Sequence, residues 1–350
     1  MMSSETYDRT SEDLDEIYAF AVQLGKDAGR MLMDAAQSRF QGNGDNRERP
    51  VLELVEKENT VDIVTKTDEG LCALYKDVEA FIKSSIADRY PHHKFIGEES
   101  YSKGSSRAYL IDNTSPTWCV DPLDGTVNYT HLFPMFCVSI AFLVGGSPVI
   151  GVIYAPFLNQ LFSSCRSRGA WLNEQQRLPL IREPAVPAMP KNAPAGCVFS
   201  CEWGKDRKDK PDGNLLRKVE SFLTMAADVE GRGGKGGMVH GVRSLGSATL
   251  DLAYTAMGAF DIWWEGGCWE WDVAAGIAIL QEAGGLVTTA NPPPDPMTAE
   301  IEPVSLESRL YLAIRPAGPS ESETGRQGQE RTIREVWRRV RELNYQRPGA

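Results

Sequence analysis

The sequence has few of the features that disulfide frameworks, structural zinc sites or membrane spans require. Its seven cysteines are scattered without a Cys-x-x-Cys pair, which indicates reduced thiols rather than disulfides or bound zinc. No apolar run approaches the roughly 18 residues of a transmembrane helix, and the acidic, polar residues 1–16 are not typical of a secretory signal. We therefore expect a cytoplasmic protein without a membrane span.

Positive charge is also scarce, because 48 acidic residues outnumber 37 lysines and arginines and give a net charge of −11. This balance argues against a general nucleic-acid-binding protein. It leaves an anionic substrate open, since clustered carboxylates can hold cations that reverse the local field. The glycine-rich residues 230–241 lack the GxxxxGK[ST] pattern of a P-loop, and we expect a loop there.

Hydrophobic periodicity predicts a chain of mixed helices and strands. The predicted helices are residues 10–37, 69–87 and 214–227, the first part of SLGSATLDLAYTAMGAFDIWWE, and WDVAAGIAILQEAGG. The predicted strands lie in VDIVTKTD, HKFIGEES, TWCVD, FCVSIAFLVGG, PVIGVIYAP, QLFSSCRSRGAWLN, CVFSCEWG and SRLYLAI. A short helix is also expected near residues 125–130.

Three segments are expected along the chain. Residues 1–185 form an N-terminal α+β half, residues 186–318 a C-terminal α/β half, and residues 319–350 a polar linker with a basic amphipathic helix. Four prolines in residues 181–196 indicate a hinge or a surface crossover between the halves. The apolar face of the tail helix consists of Ile333, Val336, Trp337, Val340 and Leu343. This face favours packing on its own domain or on a sister subunit over binding to a membrane or another partner.

Carboxylates recur at the ends of predicted strands. They are Asp68, Glu98, Glu99, Asp121, Asp124 and Asp272. Any one of them could cap a helix or lie in a solvated turn. Together, at an edge flanked by apolar segments, they would repel one another unless a cation compensates their charge. An all-oxygen set without histidine or cysteine suits Mg2+ or Mn2+ rather than zinc.

The segment WCVDPLDGTVNYTH places two of these carboxylates, Asp121 and Asp124, beside residues that suit a cation and an anion. Pro122 fixes its own φ and removes a competing N–H, so that the Leu123 carbonyl can turn towards a cation. Gly125 permits close approach of a ligand to the backbone. Thr126 supplies a hydroxyl at a helix start that would face an anion. Metal ligands beside an anion site indicate hydrolysis of a phosphate ester.

Four segments, taken in order, resemble one family. VDIVTKTD, FIGEES, WCVDPLDGTVNYTH and EGGCWEWDVAAG are similar to the motifs of the inositol monophosphatase family, which comprises lithium-sensitive, magnesium-dependent sugar phosphatases. The resemblance covers most of residues 11–316. It implies an α/β chain with α+β type layering, in a five-layer α-β-α-β-α sandwich. The N-terminal half would supply most metal ligands, the C-terminal half would complete the active site, and the protein would form a homodimer.

The resemblance also implies roles for individual residues. Two to three Mg2+ ions, for which Mn2+ is a possible substitute, would be held by Asp68, Glu98, Asp121, the Leu123 carbonyl, Asp124 and Asp272. The nucleophilic water would be oriented and activated by Asp68, Glu98 and Thr126. The substrate would be bound by Asp124, Gly125, Thr126, Ala248, Glu265 and Asp272. Lys57 falls where the family has a lysine on a mobile active-site loop.

The predicted function is that of a phosphomonoesterase acting on inositol monophosphate or a related cyclic polyol or sugar phosphate by metal-activated water attack. The alternatives are a 3'(2'),5'-bisphosphate nucleotidase, a fructose-1,6-bisphosphatase-like enzyme, and a non-catalytic binding protein on the same fold. Asn128 in DGTVNYTH favours the inositol branch. The tryptophan-rich WWEGGCWEWD departs from the family pattern, and Trp263, Trp264 and Trp269 either pack in the core or reshape the wall that selects the alcohol.

Overall fold

Helices and strands succeed one another along a computed structural model that describes residues 11–41, 54–56, 63–65, 69–102 and 109–347. The helices are α1 Ser11–Gln41, α2 Glu69–Arg89, α3 Glu98–Ser102, α4 Thr126–Thr130, α5 Asn214–Ala226, α6 Gly231–Gly234, α7 Ala248–Met257, α8 Glu270–Ala283 and α9 Gly325–Trp337. The strands are β1 Leu54–Glu56, β2 Ile63–Thr65, β3 Lys94–Gly97, β4 Thr117–Asp124, β5 Cys137–Val144, β6 Ser147–Ala155, β7 Gln160–Cys165, β8 Gly169–Leu172, β9 Gln176–Arg177, β10 Val198–Ser200, β11 Gly241–Arg243, β12 Ile262–Gly266, β13 Leu286–Thr288 and β14 Leu310–Ile314.

A seven-stranded sheet in the order β3-β4-β5-β6-β7-β8-β9 forms the first half of the molecule. Its strands are antiparallel except for the parallel pair β3–β4. Side chains alternate between its two faces. Trp118 and Val120 pack with α1 and α2, whereas Cys119 between them belongs to the cluster on the opposite face. One face is therefore covered by the two long N-terminal helices.

A five-stranded sheet in the order β11-β10-β12-β14-β13 forms the second half. Helices α7 and α8 lie between the two sheets, where they contact strands of both. Helix α8 approaches β6 so closely that a Cβ on Gly151 would overlap the carbonyl of Ala275. The two halves thus share one hydrophobic cluster, and α8, which carries Asp272, is fixed against the sheet that carries Asp121.

The outer layer consists of α5 and α9, which pack on the far face of the five-stranded sheet. Along β12, Trp263 points into the cluster with α7 and α8, and Trp264 points into the cluster with α9. Both indoles are fully buried, so their role is core packing. The order of layers is α-β-α-β-α, which confirms the predicted fold class.

The tail differs from its prediction in where its helix begins and ends. The Thr324 hydroxyl accepts a hydrogen bond from the Gln327 backbone N–H, and Gln327 Oε1 accepts one from the Thr324 backbone N–H. This capping box starts α9 at Gly325, inside the predicted linker. The helix stops at Trp337, but Val340 and Leu343 beyond it remain buried on the same sheet. The tail therefore packs on its own chain.

Other differences are local. The glycine-rich stretch contains a helical turn, α6, with left-handed φ at Gly233 and Gly234, and it ends in β11. The segment QLFSSCRSRGAWLN makes two paired strands, β7 and β8. Among the described residues, no helix combines the length and the apolar character needed to cross a bilayer.

Replacing Trp337 with alanine tests the packing of the tail. The side chain is 2% exposed, and its Nε1–H donates to the Thr289 carbonyl over 3.1 Å. Its loss should lower the free energy of unfolding by about 3–5 kcal/mol, measured by denaturant unfolding. The neighbouring Arg338→Ala change removes a side chain that is 42% exposed and should change that free energy by less than about 0.5 kcal/mol. Equal effects of the two changes would contradict the assigned packing.

Candidate active site

Strand β4 ends in a bulge that presents two carboxylates. Asp121 pairs with Ser139 and Asp124 with Cys137 on β5, so two residues oppose one between these pairs. Pro122 has no N–H to give to the ladder. The Leu123 N–H instead turns back and donates to Asp121 Oδ1 over 2.8 Å. Asp121 and Asp124 therefore emerge at the same end of a buried strand.

The N-terminus of α7 holds Asp124 in place. The Ser247 hydroxyl donates to Asp124 Oδ2 over 2.5 Å, and the Thr249 N–H donates to the same oxygen over 3.0 Å. Ser247 also caps α7 by accepting from the Leu250 N–H. The Thr249 hydroxyl donates to the Asp272 carbonyl over 2.7 Å. One helix start thus joins the β4 carboxylate to the first turn of α8.

Asp272 completes a set of three carboxylates. It lies in the first turn of α8, where its Oδ2 accepts from the Trp269 N–H over 2.7 Å. Asp121, Asp124 and Asp272 each offer an oxygen within 4.8 Å of the other two. Burial and the neighbouring carboxylates raise the pKa of all three, to about 8 for Asp272. The three groups cannot all be ionised at neutral pH without a compensating charge.

A hard divalent cation fits this set. Its donors are carboxylate oxygens, as Mg2+ and Mn2+ prefer. The Cys137 thiol lies beside them, but burial and the charges of Asp124 and Asp121 raise its pKa well above the ordinary value. The sulfur therefore stays protonated and is not a thiolate ligand for a softer metal. This agrees with the prediction of an oxygen-only magnesium site.

Glu98 opens the short helix α3 beside these carboxylates. The buried Glu79 fixes this turn, because its carboxylate accepts from the Glu99 N–H over 2.8 Å and from the Ser100 hydroxyl over 2.5 Å. The charge of Glu98 contributes to the raised pKa of Asp121 and Asp272. Glu98 is thus electrostatically part of the same centre.

A cavity of about 460 Å3 lies over the carboxylates. The predicted site residues within the described ranges all line it: Glu98, Asp121, Leu123, Asp124, Gly125, Thr126, Ala248, Glu265 and Asp272. The other two predicted residues, Lys57 and Asp68, lie outside the described residues. The structure therefore brings together residues that are separated by up to 174 positions in the chain (98 to 272). A volume of this size is typical of small-molecule sites.

Gly125 and Asn128 shape the floor of the cavity. Gly125 has a φ of +82°, and a Cβ there would lie 2.6 Å from the Met135 carbonyl, so only glycine fits. The Asn128 Nδ2 donates to the Met135 carbonyl over 2.6 Å and to the Leu245 carbonyl over 2.7 Å. Asn128 thus ties the loop after α4 to the segment before α7, which is a positioning role.

Glu265 is more enclosed than a carboxylate that simply faces a substrate. It is 2% exposed and forms a buried ion pair with Lys218 of α5. Its Oε1 also accepts from the Gly266 N–H over 2.9 Å, and its Oε2 accepts from the Glu202 N–H over 2.7 Å. A carboxylate has about four acceptor positions, so these three bonds leave one position open.

The sequence did not single out several residues of this cavity. They are Glu202, Lys205, Ser247, Cys268, Arg309 and Tyr345. Ser247 carries a signal that could have been used, since a serine before an apolar helical segment is a typical N-cap. Glu202 accepts hydrogen bonds from the Leu245 and Gly246 N–H groups, and Tyr345 comes from the far end of the chain. Neither Glu202 nor Tyr345 belongs to a local sequence pattern that would place it in the cavity.

The raised pKa of Asp272 predicts how the metal-free protein responds to pH. A carboxyl whose pKa is about 8 when folded and about 4 when unfolded stabilises the fold while it is protonated. In EDTA, the free energy of unfolding should therefore fall as the pH rises from about 4 to about 8. Excess MgCl2 should raise the stability most at the upper end of that range.

Thermal unfolding in EDTA and in MgCl2 across this pH range measures the effect. The Asp272→Asn variant is the matched control, because its side chain does not titrate, and its stability in EDTA should depend less on pH. Stability in EDTA that rises with pH, or a response to Mg2+ that is equal at all pH values, would contradict the assignment.

Comparison with known proteins relates this chain to one family of phosphatases. The model of the inositol monophosphatase family matches residues 13–341. The quinic acid degradation cluster protein x of Neurospora crassa is 72% identical over 353 aligned positions, covering 100% of both chains. Inositol monophosphatase 2 of Saccharomyces cerevisiae is 39% identical over 264 positions, covering 74% of this chain and 78% of its own.

A solved structure gives the same result for the fold. The inositol monophosphatase from Anabaena superimposes with a TM-score of 0.64 at 25% identity, covering 95% of this chain and 98% of its own. The family model spans both sheets and all of the cavity residues described above except Tyr345, which lies beyond its last matched residue. This chain therefore belongs to the inositol monophosphatase family.

Proposed function

We propose that this chain is a Mg2+-dependent phosphatase of a cyclic polyol monophosphate. Homologues in its family are phosphoric monoester hydrolases, and this chain is an enzyme of that class. The observation that supports the proposal is the set of carboxylates Asp121, Asp124 and Asp272 at the base of a cavity, of which Asp121 is buried and the other two are partly buried. Such a set needs a compensating charge at neutral pH, and a cation that supplied it beside an open cavity would suit a phosphate ester.

In the proposed reaction, an attacking water forms a new P–O bond, the bond from phosphorus to the alcohol oxygen breaks, and a proton passes to the leaving alcohol. Bound cations would lower the pKa of the water and stabilise the leaving oxygen. We assign Asp121, Asp124, Asp272, Glu98 and the Leu123 carbonyl to holding two to three Mg2+ ions, with Mn2+ as a possible substitute. Glu98 and Thr126 orient the water, together with Asp68, which remains a prediction.

The phosphate is assigned to the Thr126 end of the cavity. Thr126 begins α4, and its hydroxyl lies 3.4 Å from the Leu123 carbonyl, so it is close to the proposed metal ligands. Gly125 brings its backbone to the same cavity wall without a side chain in the way. The alcohol is assigned to the side lined by Ala248 and Glu265, where the remaining acceptor position of Glu265 can receive a substrate hydroxyl.

A phosphorylated cyclic hydroxy acid is the second candidate substrate, beside inositol monophosphate. The Neurospora relative is named for quinic acid degradation, and quinic acid is a cyclic polyol with a carboxylate. Three basic side chains, Lys205, Arg207 and Arg309, line the cavity. A substrate with a carboxylate and a phosphate carries more negative charge than inositol monophosphate, so it would gain more from these side chains. Lithium inhibition and a homodimer stay predictions from the family resemblance, and a cytoplasmic location stays a prediction from the sequence.

Asp121→Asn tests the metal assignment. The change preserves the shape of a side chain that is 1% exposed but removes its charge. We expect Mg2+-dependent phosphate release to fall by at least about 100-fold, because even residues that only support a metal ligand cost 10–100-fold when removed. Asp295→Asn, on a surface loop, is the control and should leave the rate unchanged. A variant with nearly wild-type kcat would contradict the assignment.

A substrate panel tests the alcohol. Phosphate release is measured with Mg2+ and with EDTA on myo-inositol 1-phosphate, shikimate 3-phosphate, fructose 1,6-bisphosphate and adenosine 3',5'-bisphosphate. We expect kcat/KM for the cyclic monophosphates to exceed that for the bisphosphates by about 10-fold or more, as one lost charge-assisted hydrogen bond would cause. Highest activity on either bisphosphate would favour the alternative functions, and no release from any ester would contradict the proposal.

Lysine variants separate the two cyclic monophosphates. Lys205→Gln removes a cavity charge, and Lys208→Gln removes an exposed charge of the same loop outside the cavity. If the natural alcohol carries a carboxylate, only Lys205→Gln should raise KM for shikimate 3-phosphate, by about 10-fold. An equal rise for myo-inositol 1-phosphate would show that Lys205 binds the phosphate shared by both substrates.

A further inference from the structure

The last described residues of the chain return to the active-site cavity. After α9, residues 341–347, here called the C-terminal strap, run past α5 and β12. Two asparagines bind its backbone on both edges: Asn291 Oδ1 accepts from the Leu343 N–H over 2.8 Å, and Asn291 Nδ2 donates to the Leu343 carbonyl over 2.9 Å. Asn214 makes the same pair of bonds with Asn344, over 2.7 and 2.9 Å. The strap is therefore held in one register.

Ion pairs fasten both ends of the strap. Arg341 pairs with Glu220 and Asp212 at the surface, where such pairs contribute little. Arg347 pairs with Glu270 in the interior, where the two side chains are 6% and 0% exposed. Removing one partner of a buried ion pair is strongly destabilising, because the remaining charge stays buried without compensation. The strap thus has an anchored end beside α8 and a weaker end near α5.

Tyr345 lies between these ends and lines the cavity. Its ring rests on Gly266 and Gly267, where an added Cβ would lie 2.7 and 2.9 Å from ring carbons, and its hydroxyl would lie 2.7 Å from a Cβ on Gly204. Three glycines therefore make the seat that this side chain fills. The Arg309 guanidinium secures the contact by donating to the Gly267 carbonyl over 2.5 Å and to the Gln346 carbonyl over 3.0 Å.

The ring, rather than the hydroxyl, is the part that faces the cavity. The hydroxyl oxygen is buried and has no hydrogen-bond partner among the described residues. Burial raises the pKa of Tyr345 to about 12, so the phenol is neutral at physiological pH. The Lys218 ammonium lies 5.5 Å from the ring centroid, on the side of the cavity that contains Glu265. The strap thereby adds an aromatic face beside the Lys218–Glu265 pair.

We propose that Tyr345 is a specificity-determining residue, whose ring forms the wall against which the cyclic alcohol of the substrate packs. This inference rests on the proposed phosphatase function. An aromatic face suits the C–H face of a polyol ring, while Glu265 receives one of its hydroxyls. In this proposal Tyr345 acts on the recognition of the alcohol and not on the hydrolysis of the phosphate ester.

The test compares Tyr345→Leu with the matched control Tyr345→Phe. Leucine removes the aromatic face, whereas phenylalanine removes only the buried hydroxyl. We expect Tyr345→Leu to raise KM for myo-inositol 1-phosphate about 3- to 10-fold, as the loss of one aromatic contact would. Its KM and kcat for the acyclic glycerol 2-phosphate should not change. Tyr345→Phe should behave as wild type with both substrates.

Inhibition by products supplies a second measurement. Tyr345→Leu should weaken inhibition by free myo-inositol but not inhibition by inorganic phosphate, and a purely structural defect would not separate the two. Should Tyr345→Leu unfold, Tyr345→Met takes its place, because an unbranched side chain fills irregular gaps with less strain. Arg341→Ala, which loosens the exposed end of the strap without touching the cavity, should leave the substrate profile intact.

The outcomes are distinguishable. Wild-type protein that releases phosphate from none of the esters overturns the proposed function and, with it, this inference. Active wild-type protein with an unchanged ratio of the two KM values in the leucine and methionine variants overturns the role of Tyr345 alone. An equal shift in Tyr345→Phe would also overturn it, since the hydroxyl rather than the ring would then select the alcohol.

Discussion

The mutual repulsion of three clustered carboxylates is the constraint on which the rest of this structure depends. Asp121, Asp124 and Asp272 have oxygens within 4.8 Å of one another, and Asp121 has almost no contact with solvent. Such an arrangement lowers stability unless a cation or protons compensate the charge. The packing of the surrounding helices and strands, here called the frame, holds the carboxylates together whether or not the compensating charge is present.

The frame is built from the contact between the two sheets. Helix α8 is buried between them, and Gly151 on β6 lets it approach the first sheet closely. The start of α7 joins the remaining pieces, since Ser247 and Thr249 hold Asp124 while Thr249 also holds the backbone at Asp272. The same packing that forms the core therefore sets the distance between carboxylates from the two halves of the chain.

Much of the site could be predicted from the sequence because its chemistry lies in short segments. In DPLDGT, the carboxylates, the proline and the glycine that the geometry needs are adjacent, so the pattern is visible without the fold. The Ser247–Asp124 bond and the Lys218–Glu265 pair join segments that are distant in sequence, and neither partner is unusual in its own segment. The start of α9 was missed for a different reason, because a Thr-x-x-Gln capping box was hidden in a stretch that resembled a linker.

The alcohol side of the cavity follows a different rule from the metal side. There the Glu265 carboxylate is already paired, because Lys218 forms a buried ion pair with it. This neutralised part of the wall selects by shape and by the few hydrogen-bonding positions left over, whereas Lys205, Arg207 and Arg309 supply positive charge elsewhere in the cavity. The strap that carries Tyr345 contributes to this wall from outside the metal-binding motifs. Changes in the strap can therefore alter which alcohol is accepted while the carboxylates that act on the phosphate stay the same.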